Sequence, residues 1–366
     1  MDKLKVLVVD DSLVYRKIIS KAVEKTNIAV VDCTASSGIT ALERLQQREI
    51  DIVLLDVFMP EMDGIETLKE IKKKYNHIHV IMISSGGMDG AKITVEALRQ
   101  GAMDFIIKPT NGNLEYNMDI INRHLNLLFS QILIDKYVGT RQPIHPPREN
   151  KKTDDTFPLS RKRARVLPPS PTILCGVDIV VMASSTGGPN AVEEVCKELG
   201  SDFSKPILLV QHMPPDFTRI FAGFLDKKTR IQVKEAQEGD KILGGRMLIA
   251  PGGYHMKVNA DFTISLSDEA PVNGVKPAAD VLFKSVAKAY AGKRVLAVIL
   301  TGMGSDGTEG LKALKRACQC YSITQSEESS VIYGMPRSAY EAGLSDERVD
   351  LKDIGRRIIE ISRGRC

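Results

Sequence analysis

The chain has 366 residues, of which 43% are hydrophobic and 26% are charged, so its composition excludes a disordered or a fibrous protein. At about 100 to 200 residues per domain, this length predicts two or at most three domains, each large enough to bury its own core. The formal net charge is +4, but residues 141–171 alone contribute +5, so neither flanking half shows the basic surface typical of nucleic-acid-binding domains.

The first 138 residues alternate short apolar runs with amphipathic helical patterns. The runs are rich in Val and Ile and have the length of strands; they lie at residues 4–9, 28–31, 52–57, 80–83 and 105–107. Nearly continuous apolar strands indicate a parallel sheet buried on both faces, hence a doubly wound α/β domain. A long last helix over about residues 117–137 is predicted by Ile121, Leu125 and Leu128, which share one helical face.

Residues 139–172 are predicted to form a linker. The stretch from 141 to 171 holds seven of the 17 prolines and shows neither a helical nor a strand period. Its basic run at residues 161–163 is interpreted as a solvated charge run, with a docking patch as the alternative.

After the linker, the alternation of strands and helices resumes. Apolar strands are predicted at residues 179–182, 207–210 and 295–300, with a more irregular middle over residues 231–266. The predicted fold class is therefore α/β, with two doubly wound parallel-sheet domains joined by a proline-rich basic linker. The predicted domains are residues 1–138 and 173–366.

Five chemically active side chains follow the strands of the first predicted domain: Asp10, Asp11, Asp56, Ser84 and Lys108. The carboxyl ends of parallel strands meet at one edge of a sheet, where open α/β sheets hold ligands. Three carboxylates in one place repel each other unless a hard cation joins them, and oxygen ligands suit Mg²⁺. With that charge neutralised, Asp56 at the end of the central strand can attack a phosphoryl group. Helix capping is the alternative for any single one of these acids.

In the second half, Ser185, His212 and Asp306 each follow a predicted strand. A hydroxyl, an imidazole and a carboxylate are the parts needed for nucleophilic acyl transfer, because serine alone is a weak nucleophile. His212 would take the serine proton, and Asp306 would hold the ring's tautomer. Amides of the turn at residues 186–188 and near Met303 would donate to the oxyanion.

Each of these residues also has a structural explanation. Ser185 can cap the helix that follows it, His212 can be a buried hydrogen-bonded ring, and Asp306 can be a turn residue before glycine. His255 follows a Pro-Gly-Gly-Tyr turn, and we expect it at the surface, with substrate contact as the alternative.

A second function fits part of the sequence. Gly302, Gly304 and Gly307 match the dinucleotide fingerprint, and acidic residues follow about 20 residues later, which would suit a Rossmann oxidoreductase. That interpretation leaves Ser185 and His212 without a role. A third alternative is a non-enzymatic regulator that binds DNA or protein, although no helix-turn-helix pattern supports the DNA version.

The string from Asp56 to Gly64 and the pair Lys108-Pro109 resemble the receiver domain of two-component response regulators, over roughly residues 1–125. The resemblance implies that Asp56 is phosphorylated by a histidine kinase. It also implies that Asp10, Asp11, Asp56 and the backbone carbonyl of Phe58 surround Mg²⁺, with Ser84 and Lys108 in support.

Six short sequence motifs follow one another along the second half, at residues 185–188, 211–218, 249–252, 280–283, 300–307 and 334–336. Together with the receiver, they closely resemble the chemotaxis response regulator protein-glutamate methylesterases of the CheB type. This family resemblance implies a flavodoxin-like receiver followed by a Rossmann-like α/β hydrolytic domain. It also implies hydrolysis of glutamate γ-methyl esters on methyl-accepting chemotaxis receptors, and deamidation of particular receptor glutamines.

By position, the resemblance makes Ser185 the nucleophile, His212 the general base and acid, and Asp306 the orienting acid, with Thr186 and the Met303 amide beside the reaction centre. It implies no cofactor for the esterase, a chemotaxis histidine kinase as phosphodonor, and a receiver that covers the Ser185 cleft until Asp56 is phosphorylated. We expect a monomer without nucleic-acid partners or membrane insertion.

The chain departs from the family at Ala183-Ser184, where Gly-Ala is usual, and this places a second hydroxyl beside the nucleophile. Lys276 and Ala278 replace a common Arg and Ser. The six cysteines lack C-x-x-C spacing, no apolar run reaches the roughly 18 residues of a membrane span, and the N-terminus does not fit a signal peptide. We therefore expect a soluble, cytoplasmic protein with reduced thiols.

Overall fold

The computed structural model describes residues 3–108, 114–138 and 176–364. The predicted linker over residues 139–172 and Pro109 of the Lys108-Pro109 pair lie outside the described residues. We refer to residues 3–108 with 114–138 as the first unit, and to residues 176–364 as the second unit.

The first unit alternates strands and helices along its described residues. Its elements are β1 (Leu4–Val9), α1 (Leu13–Glu24), β2 (Ala29–Ala35), α2 (Gly38–Gln47), β3 (Ile52–Asp56), α3 (Gly64–Lys74), β4 (His79–Ser84), α4 (Met88–Arg99), β5 (Asp104–Ile107) and α5 (Leu114–Val138). The strands form a parallel sheet in the order β2-β1-β3-β4-β5, which is the flavodoxin-like order. The predicted doubly wound fold is confirmed.

Local sequence explains these elements. All five residues of β3 are buried, as expected for a central strand covered on both faces. Helix α3 begins with a capping box, in which Asp63 and Glu66 satisfy each other's backbone amides. Helix α5 buries the predicted face with Ile121 and Leu125, and it begins three residues before the predicted start.

The second unit contains a larger parallel sheet. Its described elements are β6 (Ile179–Ser184), α6 (Gly188–Glu198), β7 (Ile207–Gln211), α7 (Phe217–Lys228), β8 (Gln232–Glu235), β9 (Arg246–Ile249), β10 (His255–Val258), β11 (Ile264–Ser267), α8 (Ala279–Ala289), β12 (Arg294–Ile299), α9 (Thr308–Ala317), β13 (Gln319–Gln325), α10 (Met335–Glu341), β14 (Glu347–Val349) and α11 (Leu351–Ser362). The sheet order is β14-β13-β12-β6-β7-β9-β8.

The irregular middle predicted for residues 231–266 contains four short strands. Strands β8 and β9 join the edge of the parallel sheet, whereas β10 and β11 form a separate antiparallel hairpin that packs against α8. Strand β14 has only three residues, which is too short for a recognisable period, and the sequence did not predict it.

The two units are packed together through α4 and β5 of the first unit. The rings of Phe105 and Phe217 are stacked with their centroids 4.7 Å apart. The guanidinium of Arg99 lies 3.9 Å from the ring centroid of Phe224 and 3.2 Å from a carboxylate oxygen of Glu193. This packing places β5 beside the carboxyl ends of the strands in the second sheet. Among the described residues, no helix has the length and apolar character needed to cross a membrane.

Candidate active site

Ser185 occupies the tight turn between β6 and α6. Its amide donates to the carbonyl of Thr301 at 3.0 Å, and its carbonyl accepts from the amide of Gly188 at 2.7 Å. Gly187 has a φ of 74°, a left-handed conformation that favours glycine. Gly302 approaches so closely that a Cβ there would lie 2.7 Å from the Cβ of Ser185. The neighbouring strand end therefore fixes the position of the turn that carries Ser185.

A buried amide side chain links this turn to His212. The hydroxyl of Ser184 donates to Oε1 of Gln211 at 2.6 Å, while Nε2 of Gln211 donates to the carbonyls of Ser185 at 2.9 Å and His212 at 3.2 Å. The sequence reasoning assigned no role to Gln211, although a polar residue at the end of an apolar strand was the available signal. The extra hydroxyl of Ser184 is therefore engaged by the Gln211 side chain, and Ser184 is not among the residues that line the cleft with Ser185.

His212 and Asp306 are joined at the same sheet edge. Nε2 of His212 lies 2.8 Å from Oδ2 of Asp306, which is almost fully buried. The carboxylate also accepts from the amide of Ala279 at 2.6 Å, the amide of Asp280 at 3.1 Å and Nδ2 of Asn273 at 2.9 Å. Burial alone would raise the pKa of Asp306, but the hydrogen bond and charge of His212, together with the two amides, hold the pKa below its usual value.

Ser185 and His212 line one cleft of about 570 Å³. Among the described residues, no direct hydrogen bond joins the Ser185 hydroxyl to the imidazole, and such bonds are often long before substrate binds. Because Asp306 engages Nε2, the ring nitrogen left for the hydroxyl is Nδ1. Thr186 and Met303, which the family resemblance placed beside the reaction centre, line the same cleft.

The first unit closes one side of this cleft. Asp104, Phe105, Arg123 and His124 are among its lining residues, and the hydroxyl of Thr186 donates to Oδ2 of Asp104 at 2.5 Å. The residue next to the predicted nucleophile is therefore bonded directly to the first unit.

The predicted acidic cluster is present at the carboxyl edge of the first sheet. Asp10, Asp11 and Asp56 each offer a carboxylate oxygen within 4.8 Å of the others, and Nζ of Lys108 lies 2.8 Å from both Asp10 and Asp56. Burial raises the pKa of Asp56 to about 6, against the opposing hydrogen bond and charge of Lys108. Burial would lower the pKa of Lys108, but its two carboxylate partners raise it above the usual value.

Ser84 and Phe58 are the other two residues predicted for this site. The hydroxyl of Ser84 accepts from Thr94 of α4 at 2.7 Å and donates to the carbonyl of Ser85 at 3.1 Å. Among the described contacts, none joins Ser84 to the acidic cluster. Phe58 borders a hollow of about 340 Å³ that Asp11 also lines.

The expectation that His255 lies at the surface is wrong. Its side chain is fully buried, because the β10–β11 hairpin packs it against the segment that leads into α8. A short polar sequence after a turn carries no signal of such a long-range contact.

Comparisons with known proteins agree with the geometry. A family model described as CheB methylesterase matches residues 180–358, and one described as response regulator receiver domain matches residues 6–115. The protein-glutamate methylesterase/protein-glutamine glutaminase of Treponema denticola is 39% identical over 369 residues, covering 97% of each chain. The chain belongs to this CheB family.

Other relatives have the same description. The protein-glutamate methylesterase/protein-glutamine glutaminase of Clostridium acetobutylicum is 36% identical over 365 residues, covering 100% of this chain and 99% of its own. The crystal structure of the Thermotoga maritima CheB methylesterase catalytic domain is 38% identical, covers 51% of this chain and 98% of its own, and has a TM-score of 0.48. The two family models and the full-length relatives confirm the predicted family, and the dinucleotide fingerprint at residues 302–307 is incidental to a loop that carries Asp306.

Proposed function

We propose that the chain is a phosphorylation-regulated serine esterase acting on methyl-accepting chemotaxis receptors. It hydrolyses glutamate γ-methyl esters, releasing methanol, and deamidates particular receptor glutamines. The observation that carries the proposal is the 2.8 Å contact between His212 and Asp306 in the cleft that Ser185 lines, within a chain of the CheB family.

In the proposed reaction, the hydroxyl oxygen of Ser185 attacks the ester carbonyl while Nδ1 of His212 takes the hydroxyl proton. Asp306 stabilises the resulting imidazolium through Nε2. Amides near Thr186 and Met303 donate to the tetrahedral oxyanion. His212 then returns the proton to the departing methoxide, and water hydrolyses the acyl-enzyme to free glutamate. With a glutamine substrate, ammonia leaves in place of methanol.

The first unit is proposed to be the regulatory receiver, over residues 1–138, and residues 173–366 to be the catalytic domain. Asp56 would accept a phosphoryl group from a chemotaxis histidine kinase. The three clustered carboxylates fit an oxygen-preferring divalent cation, so Asp10, Asp11, Asp56 and the Phe58 carbonyl are assigned to Mg²⁺. When bound, Mg²⁺ would neutralise charge on the transferring phosphoryl group. Reduced cysteines suit a cytoplasmic location.

Inhibition by covering is supported by the contacts between the two units. Thr186 is bonded to Asp104, and the Phe105–Phe217 stack and the Arg99–Glu193 ion pair hold the first unit over the cleft. Phosphorylation of Asp56 would weaken this interface and open the cleft.

Replacing Asp104 with alanine is expected to raise basal ester hydrolysis by roughly ten- to a hundredfold, because a hydrogen bond to a charged group contributes about 1.5 to 3 kcal/mol. Methanol release without a phosphodonor measures this. Asp119→Ala, at an exposed position on α5, is the matched control and should leave the rate unchanged. Deleting residues 1–138 should raise the rate further. Unchanged basal rates in both Asp104→Ala and the folded deletion variant would contradict covering.

The proposed function is tested by methanol release from a methylated receptor, with and without acetyl phosphate and Mg²⁺. The full chain should release methanol, and acetyl phosphate should increase the rate. Asp56→Asn should keep the basal rate and lose the increase. No methanol under either condition would reject the esterase, whereas a receptor-dependent effect that survives loss of His212 would favour a non-enzymatic regulator.

A further inference from the structure

The imidazole of His255 bridges two backbone groups that are eight residues apart. Its Nε2 lies 3.1 Å from the carbonyl oxygen of Ala270, and its Nδ1 accepts from the amide of Ala278 at 3.2 Å. A carbonyl can only accept and an amide can only donate, so the ring is the neutral tautomer with its proton on Nε2. The side chain is fully buried and has no access to substrate.

The segment that His255 holds at both ends forms part of the active-site cleft. Val275, Lys276 and Pro277 line the cleft beside His212. Asn273, in the same segment, has a φ of 55° and donates to Asp306 at 2.9 Å. The position of this segment therefore sets both a wall of the cleft and one hydrogen bond to the triad carboxylate.

The residues directly after the segment complete the support of Asp306. The amide of Ala279 donates to Oδ2 of Asp306, and the amide of Asp280 donates to Oδ1. These two amides directly follow the amide of Ala278, which donates to Nδ1 of His255. Apart from His212, every hydrogen-bond donor that the described residues provide to this carboxylate thus comes from residues 273–280. A shift of this backbone would move the carboxylate relative to the imidazole of His212.

We propose that His255 is a positioning residue for ester hydrolysis, acting through residues 270–280 on Asp306. The inference rests on the proposed function and extends it to a residue that contacts neither substrate nor the reacting atoms. A misplacement of about 1 Å in a catalytic group costs on the order of 10²-fold in rate. Loss of the Ala278 bond is therefore expected to lower kcat much more than it changes KM.

Three substitutions separate the two hydrogen bonds. The amide of asparagine reaches the position of Nδ1, where its oxygen can accept from Ala278. The amide of glutamine reaches the position of Nε2, where its nitrogen can donate to the Ala270 carbonyl. Alanine provides neither bond. Each variant is made in the full chain and assayed by methanol release with acetyl phosphate and Mg²⁺, beside His79→Asn in the first unit as the control.

The expected result is a kcat within a few-fold of wild type for His255→Asn, and losses on the order of 10²-fold for His255→Gln and His255→Ala, with KM nearly unchanged. The acid limb of kcat/KM should move to lower pH in the two impaired variants, because a displaced Asp306 stabilises the His212 imidazolium less. The other ionisable side chains lining the cleft are Asp104, Arg123, His124 and Lys276, and they are the same in every variant.

A merely structural role would lower the thermal stability and the fraction of titratable active sites, but it would leave the acid limb and the kcat per active site unchanged. That result, or equal kcat per active site in the asparagine and alanine variants, would overturn the inference. If His255→Ala does not fold, the comparison of His255→Asn with His255→Gln distinguishes a positioning role from a merely structural one. An inactive wild-type chain would instead reject the proposed function.

Discussion

Replacing Ser185 with alanine is expected to lower the turnover of ester hydrolysis on the order of 10⁶-fold, as when a serine hydrolase loses its nucleophile. The reason is that no acyl-enzyme can form, so His212 and Asp306 have no hydroxyl to activate. The residual rate would come from the oxyanion donors and substrate binding alone. Methanol release in the presence of acetyl phosphate and Mg²⁺ measures the loss.

The matched control for this substitution is the neighbouring hydroxyl. Ser184→Ala removes one buried hydrogen bond to Gln211, and such a bond contributes about 1 kcal/mol of stability. Its effect on turnover should be small, because the Gln211 amide keeps its bonds to the carbonyls of Ser185 and His212. If Ser184→Ala abolished turnover and Ser185→Ala did not, the assignment of the nucleophile would be wrong.

Replacing Asp306 with asparagine is expected to lower turnover by about 10⁴-fold. Both carboxylate oxygens accept hydrogen bonds, from His212, Ala279, Asp280 and Asn273. An amide nitrogen in place of either oxygen would face one of these donors, and a neutral amide would stabilise the imidazolium of His212 far less than a carboxylate does. Rapid-quench or steady-state methanol assays measure the loss.

Asp261→Asn is a suitable comparison, because Asp261 lies on an exposed turn before β11, away from the cleft. It should leave turnover unchanged. The double variant Asp306→Asn/Ser185→Ala should have a turnover only slightly below that of Ser185→Ala alone, because the effects of substitutions at residues that act as one unit are not additive. Near wild-type turnover in Asp306→Asn would remove this carboxylate from the mechanism.

The sequence predicted the two sheets and the common edge of the proposed catalytic side chains for a simple physical reason. Parallel strands buried on both faces appear as continuous apolar runs, and their carboxyl ends lie at one edge. Ser185, His212 and Asp306 each come soon after such a run, so we expected all three at that edge. Local patterns were sufficient for this part of the site.

The remaining parts of the site depend on contacts between distant segments. The burial of His255 arises from a hairpin packed on α8, and its partners Ala270 and Ala278 are backbone groups with no signature in sequence. The Asp104–Thr186 hydrogen bond depends on how the two units pack together, and the periodicity of a sequence does not predict that packing. The hydrogen bond of the Ser84 hydroxyl to Thr94 in α4 likewise depends on how that helix packs on the sheet.

Covalent labelling of the full chain by a fluorophosphonate, followed by mass spectrometry of its peptides, tests most directly whether Ser185 is the activated nucleophile. The account predicts one adduct on Ser185, formed faster after treatment with acetyl phosphate, slowed strongly by His212→Ala and absent from Ser185→Ala. An adduct on Ser184 or another residue, or a chain that releases methanol yet leaves Ser185 unlabelled, would contradict it.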